Sequence, residues 1–276
     1  MITVIGQFFR LLTVLAILSP VLSLSTGLLK NLRHRMSSEK RMLPDLTKER
    51  LEFYDDTLPQ DTIVSVGEDV VLHCEVGGKP SPTIHWLKDG ERIIQGLSHD
   101  VRDDEARYEE KISRNGIPHT GLATVRSSLY LDCVGGRDAG VYTCVADTPF
   151  ERITKSSTVA IEGSIGDASK KCLVKKAFPG EPARIYMWTG TRVENQGGDV
   201  QLFCRSEGYP LPAVTWKDAR GNIINNSQNY KILKNGDLLI MGISWQNFGY
   251  HICEVENESG EDNKRVLVYP LRPSKK

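Results

Sequence analysis

The 276 residues carry 35 Lys+Arg against 35 Asp+Glu, 39% hydrophobic residues and six Cys. A net charge of zero speaks against a nucleic-acid-binding protein, which carries a basic excess, and the apolar fraction is ordinary for a globular chain rather than a disordered one. Past the N-terminal segment no apolar run approaches the ~20 residues of a spanning helix, and the polar tail, 271–276, resembles neither a membrane anchor nor the hydrophobic end of a lipid-anchor signal.

Residues 1–25 read as a secretory signal peptide. Arg10 is the first charged side chain, a short apolar core runs from Leu11 to Leu24, and small residues surround Ser23 and Ser25. A retained signal anchor is the alternative, disfavoured by the short run and by Pro20. In an oxidising compartment an even number of Cys without a Cys-x-x-Cys pair points to disulfides, not to a zinc ribbon or a redox motif. Residues 26–56 form a polar arm of mixed charge with no sustained apolar period. Within it Lys40-Arg41 is either a processing site or an ordinary exposed dibasic pair.

One pattern then occurs twice. Val70-Val71-Leu72-His73-Cys74 leads through Lys79-Pro80-Ser81-Pro82 to Thr83-Ile84-His85-Trp86. Val200-Gln201-Leu202-Phe203-Cys204 leads through Tyr209-Pro210-Leu211-Pro212 to Ala213-Val214-Thr215-Trp216. Cys and Trp stand 12 residues apart in both. Later, Leu129-x-Leu131 precedes Asp138-x-Gly140-x-Tyr142-x-Cys144, and Leu238-x-Ile240 precedes Asn247-x-Gly249-x-His251-x-Cys253. The alternation gives each strand one buried face, and the Asp and Gly mark the turn before the strand that carries the second Cys. The two Cys are 70 residues apart in the first copy and 49 in the second. The surplus falls around Asp100–Gly121, where Asn115-Gly116 predicts a longer hairpin or loop.

The repeated pattern resembles the immunoglobulin sandwich, two sheets clamped by a disulfide with a Trp packed on it. The fold class expected is all-β: two tandem immunoglobulin-like sandwiches of I-set type, domain 1 over 57–162 and domain 2 over 184–270, joined by a linker over 163–183. The resemblance implies the bridges Cys74–Cys144 and Cys204–Cys253 and the core tryptophans Trp86 and Trp216. His251 stands where domain 1 has the corner residue Tyr142, so a weaker corner is expected in domain 2. Cys133 and Cys172 remain. In such a sandwich the fifth-to-sixth-strand turn and the end of the last strand share one end of the domain, so these two can pair and restrain the linker; an intermolecular bridge by either is the alternative.

Nothing in the sequence assembles an active site. Ser98-His99-Asp100 lists triad residues in a row, but neighbours on an extended segment point to opposite faces and triads are built from separated positions. The histidines are scattered, with His73 and His85 reading as solvent-facing strand residues. No metal-ligand spacing or phosphate loop occurs, and no cofactor or metal is expected. Asn225-Asn226-Ser227 and Asn257-Glu258-Ser259 make Asn225 and Asn257 glycosylation acceptors in exposed loops. Trp188 and Trp245 are not needed by the sandwich pattern. Both are candidate partner-binding aromatics, with local packing the simpler reading.

A signal peptide, two such domains, the extra Cys pair, Asn235-Gly236-Asp237-Leu238-Leu239-Ile240, Ile243-x-Trp245 and Val268-Tyr269-Pro270 together resemble the nematode zwei-immunoglobulin secreted proteins. Mainly in domain 2, the chain is also similar to an insect secreted two-domain protein that binds insulin-like peptides. The first resemblance implies a secreted, non-enzymatic protein of the nervous system. It would bind neuronal surface or matrix proteins and keep axons and cell bodies in place. The second implies sequestration of an insulin-like peptide.

Overall fold

The structure, a computed structural model, describes residues 50–54, 60–96, 120–163, 172 and 180–272. The signal-peptide run, Lys40-Arg41, Ser98-His99-Asp100 and Asn115-Gly116 lie outside the described residues. Among the described residues the regular secondary structure is β apart from two short 3-10 turns, at Gly136–Asp138 and Trp245–Asn247, and the helical residue Cys172.

Domain 1 packs two sheets. One contains β1 (Arg50–Phe53), β3 (Val70–Lys79) and β6 (Leu122–Leu131); the other has the order β2 (Thr62–Ser65), β8 (Arg152–Glu162), β7 (Gly140–Asp147), β4 (Thr83–Lys88) and β5 (Glu91–Arg92). Between them Trp86, Cys74 and Cys144 are almost wholly buried, and the Trp86 indole N–H donates to Ser127 Oγ at 3.0 Å. Strand β1 lies inside the stretch that the sequence suggested was a polar arm. Two alternating apolar residues, Leu51 and Phe53, are enough to seat it on the core, and its register places Phe53 opposite Val76.

Domain 2 repeats the plan with β10 (Val200–Leu202), β13 (Tyr230–Ile232) and β14 (Leu238–Ile240) facing β12 (Ala213–Lys217), β15 (Gly249–Asn257) and β16 (Gly260–Leu271). Trp216 donates to the carbonyl of Gly236 at 2.8 Å. That carbonyl is presented by a turn residue with φ of +91°, and a Cβ there would lie 2.3 Å from the Cys204 carbonyl oxygen, so only glycine fits. Asp237 beside it is fully buried. It accepts from the Cys204 N–H, the Gln201 amide and the Arg205 guanidinium, so the buried charges are paired. The Cys133 and Cys172 sulfurs are joined, as are Cys74 with Cys144 and Cys204 with Cys253.

The strand between the domains departs from the sequence expectation. The sequence suggests local packing onto domain 2 for the residues after the linker; instead they belong to β9 (Glu181–Asn195), which serves both domains. On one edge β9 pairs antiparallel with β6 of domain 1. On the other it pairs first with β11 (Cys204–Tyr209) and then, in parallel, with β16. The result is one eight-stranded sheet running through both domains. Successive side chains of β9 are divided between two cores: Ile185 packs in domain 2, while Tyr186 and Met187, with Phe203, pack with domain 1. A strand covered on both sides reads as a continuous apolar run instead of an alternating one, and Ile185-Tyr186-Met187-Trp188 is such a run. Arg192 and Glu194 form a buried ion pair at 3.1 Å, and Glu194 also accepts the backbone N–H groups of Thr120 and Gly121 in domain 1. One carboxylate thus ties the two domains along the seam.

Candidate functional site

The seam opens into a trough of about 570 Å³ where β9 leaves β11 and joins β16. The change of partner needs a break in register, and the β6–β9 ladder shifts between Thr124 and Val125, leaving Gly190 unpaired as a bulge. A Cβ at Gly190 would approach Thr124 Oγ1 to 2.7 Å, so the missing side chain keeps the trough floor open.

Both domains contribute to its walls. From domain 1 come Glu75 on β3 and Arg126 on β6, opposite each other in register and joined at 2.9 Å. From β9 come Trp188 and Thr191, and from β15 and β16 come Tyr250, Asn263, Lys264, Arg265 and Leu267. Lys264 sits 5.1 Å above the Trp188 ring and bonds Asp262 at 3.0 Å; the other oxygen of Asp262 accepts the Ile185 N–H, which fixes this corner to β9. Arg265 lies 5.5 Å from the Tyr250 ring. Three cations and one carboxylate therefore face the trough. His73 on β3 is bonded to Ser128 Oγ, and its pKa is lowered by burial and by the Lys264 charge, so it stays neutral at physiological pH.

A second exposed feature lies at one end of domain 2. Trp245, Phe248 and Tyr269 form a triangle of rings with centroids 5.4–5.8 Å apart, tilted or edge-on, and each side chain is 39–46% exposed. Tyr250, two residues after Phe248 on β15, is 53% exposed and connects this triangle toward the trough. The two tryptophans singled out in sequence therefore fall in different places. Trp188 is half-buried in the trough wall, while Trp245 caps the aromatic group.

Other residues singled out from the sequence have structural surroundings. The Tyr142 hydroxyl donates to the Asp138 carbonyl at 2.7 Å, forming the corner, and burial pushes its pKa to about 12. His251 is buried and its pKa is lowered by that burial, Tyr250 points outward, and the hydroxyl at this turn of domain 2 is that of Tyr230, which accepts from the Asn247 side-chain amide at 2.7 Å. His85 is not solvent-facing; it is largely buried, 3.3 Å from Asp147. Asn225 is exposed. Asn257, expected in an exposed loop, instead ends β15 half-buried. Its amide donates to the carbonyls of Glu181 and Pro210 and accepts from the N–H groups of Ala183 and Ser259. Among the described residues no group of three His, Cys, Asp or Glu side chains could hold a metal, and no helix is long and apolar enough to cross a membrane.

The trough was not visible in the sequence. Its residues come from five strands in both halves of the chain, and the one hint was the unbroken apolar run before Trp188.

Residues 56–147 match the model of an immunoglobulin domain and residues 190–269 that of an immunoglobulin I-set domain. The chain is 32% identical to Zwei Ig domain protein zig-3 of Caenorhabditis elegans over 77% of its own length and 78% of that protein, and 30% identical to zig-2 of the same organism over 77% and 82%. It is 28% identical to the neural/ectodermal development factor IMP-L2 of Drosophila melanogaster over 74% and 71%. The crystal structure of that factor superposes with a TM-score of 0.58 at 26% identity, covering 80% of this chain and 95% of the other.

Proposed function

This chain belongs to the zwei immunoglobulin (zig) family, and from that premise we propose that it is a secreted recognition protein. It binds proteins of neuronal surfaces or matrix and thereby helps to keep axons and cell bodies in position. The observation that carries this reading is the shared strand β9. It makes both domains one sheet and so presents a broad surface of fixed shape, where tandem domains otherwise default to relative motion. Preorganisation of this kind lowers the entropic cost of binding. At one end of that surface stand Trp245, Phe248 and Tyr269, side-chain types that supply most of the energy in protein interfaces.

The test uses the full-length purified protein, fluorescently labelled, on cultured neurons and on neuronal matrix. Saturable binding is expected, weakened at least tenfold by Trp245→Ala combined with Phe248→Ala. No saturable binding on either preparation, or binding indifferent to those substitutions, overturns the reading.

A second reading, sequestration of an insulin-like peptide, draws support from the likeness to IMP-L2 in sequence and in two-domain arrangement. Calorimetric titration with a panel of insulin-like peptides distinguishes the two. Nanomolar binding to one of them would make hormone capture the primary activity, and no heat at micromolar concentration would remove that reading.

A further inference from the structure

We propose that the seam trough is a binding site for a sulfated glycosaminoglycan chain, separate from the aromatic end of domain 2. The inference goes beyond the protein-recognition reading and stands without it.

Three observations point to this ligand. First, the charge in the trough is one-sided in a chain whose net charge is zero: Arg126, Lys264 and Arg265 line it with Glu75 as the one opposing carboxylate. Arg126 and Lys264 are held in place by Glu75 and Asp262, whereas Arg265 has no carboxylate partner among the described residues. It rests on the face of Tyr250 with its donors directed to no other described side chain. A planar guanidinium held against a ring is preorganised for bidentate binding of an oxyanion such as sulfate. Second, the floor is polar and uncommitted. The Thr124 and Thr191 hydroxyls and the Asn263 side-chain amide line the trough and form no hydrogen bond with any other described residue. Such groups suit a ligand rich in hydroxyls. Third, the trough has room for a ligand. Its volume of about 570 Å³ falls in the ~300–1,000 Å³ range of small-ligand sites, and Gly190 leaves the floor clear where any Cβ would fill it.

An acidic protein segment could pair with the cations and bond the floor through its backbone; a sulfated sugar is favoured because it carries sulfates and hydroxyls together along its whole length, matching cations and uncommitted polar groups that lie side by side. Cations arranged around a groove, with aromatic faces beside them, also supply the two contacts a sulfated sugar needs: ion pairs for its sulfates and flat surface for its rings.

The test is titration of the full-length protein with a heparin-derived octasaccharide at low and at high salt. Binding should weaken linearly on a log–log plot as counterions are released. The double variant Lys264→Gln, Arg265→Gln should bind at least tenfold more weakly, with a salt slope smaller by roughly 1.5, on the order of one released ion per lost contact. A control variant, Arg220→Gln with Lys231→Gln, removes two exposed cations elsewhere in domain 2 and should change affinity less than twofold. Thermal melts of both variants establish that they fold. A single substitution, Thr191→Val, keeps every charge and should still weaken binding about threefold. The proposal is overturned by three results: no octasaccharide binding at low salt, equal losses in the trough and control variants, or equal binding of poly-glutamate and the octasaccharide. The last would assign the trough to acidic protein segments. Failure here leaves the neuronal-surface test untouched, since that test reads substitutions at Trp245 and Phe248.

Discussion

In domain 2, β14 lies between β10 and β13, so the sandwich supplies its own neighbours on both edges of that strand. In domain 1 the equivalent strand, β6, lies between β3 and β9, and its second neighbour comes from the other domain. The two domains share the disulfide, the buried Trp and the turn before the sixth strand, and they differ in who covers this one edge. An uncovered edge is a row of unsatisfied donors and acceptors and a template for further pairing. Domain 1 meets that need by borrowing a strand, and the borrowed strand abolishes the hinge. Rigidity between the domains thus resides in the sheet, and the Cys133–Cys172 bridge reinforces a junction already made by hydrogen bonds.

Beside the β6–β9 ladder one buried carboxylate, Glu194, bonds across the seam, and removing it is the strongest way to separate the two halves. Glu194→Ala removes the carboxylate that pairs with the buried Arg192 Nη2 and frees the Thr120 and Gly121 N–H groups. Breaking a buried pair from one side costs about 3–5 kcal/mol. Because the lost bonds cross the domains, the single calorimetric transition expected of the native chain should split, with domain 2 retaining the higher midpoint. A loss below ~1 kcal/mol in an unsplit transition would mean that the apolar contacts of Tyr186, Met187 and Phe203 hold the seam without the ion pair.

A smaller effect of opposite sign is expected at Glu207, on β11 beside the seam. Burial pushes its carboxyl up to about 7; Glu181 and Asp132 push the same way, while Arg184 and the Gly96 N–H oppose them. Arg184 itself spans the seam, bonded to Asp132 at 2.7 Å and stacked 4.9 Å from Tyr130 of domain 1. The folded chain therefore holds this proton where the unfolded chain releases it near 4.5. Stability falls as pH rises from about 4.5 to about 7 and is lowest above that. Glu207→Gln should be close to neutral at pH 4.5 and stabilising by roughly 1–3 kcal/mol at pH 8. A variant no more stable than the native chain at pH 8 would show that Arg184 compensates the buried charge in full.

What was legible in the sequence followed from local pattern. The Cys-to-Trp spacing, the strand alternation and Asp138-x-Gly140-x-Tyr142 are short-range features, and each sandwich forms from them. The partner of β9 is not a short-range property. Ile185-Tyr186-Met187-Trp188 announces burial on two sides without saying what covers them, and the same residues were open to being read as a packed linker. The trough depends on that pairing, so its residues looked like ordinary solvent-facing strand positions: Arg126 alternates with buried Val125, and Arg265 with buried Val266. The surplus length between Cys74 and Cys144 falls around Asp100–Gly121, almost wholly outside the described residues. It could not indicate that a strand from the other domain takes the vacant edge.

The smallest effect on stability, and the sharpest contrast between two alike motifs, concerns the two sequons. Asn225 is exposed, whereas the Asn257 amide gives both hydrogens to the carbonyls of Glu181 and Pro210 and so fastens the start of β9 to the end of β15. An attached sugar would take one of those hydrogens and would have to leave through the contact between the strands. Protein secreted from eukaryotic cells should therefore carry one N-glycan, on Asn225. By mass spectrometry Asn225→Gln should remove it and Asn257→Gln should leave the mass increment unchanged. The unglycosylated Asn257→Ala variant should lose about 1–2 kcal/mol, the cost of unpairing half-buried backbone groups. Sugar found on Asn257 of the folded protein would mean that this pin is dispensable and that the β9 seam does not depend on it.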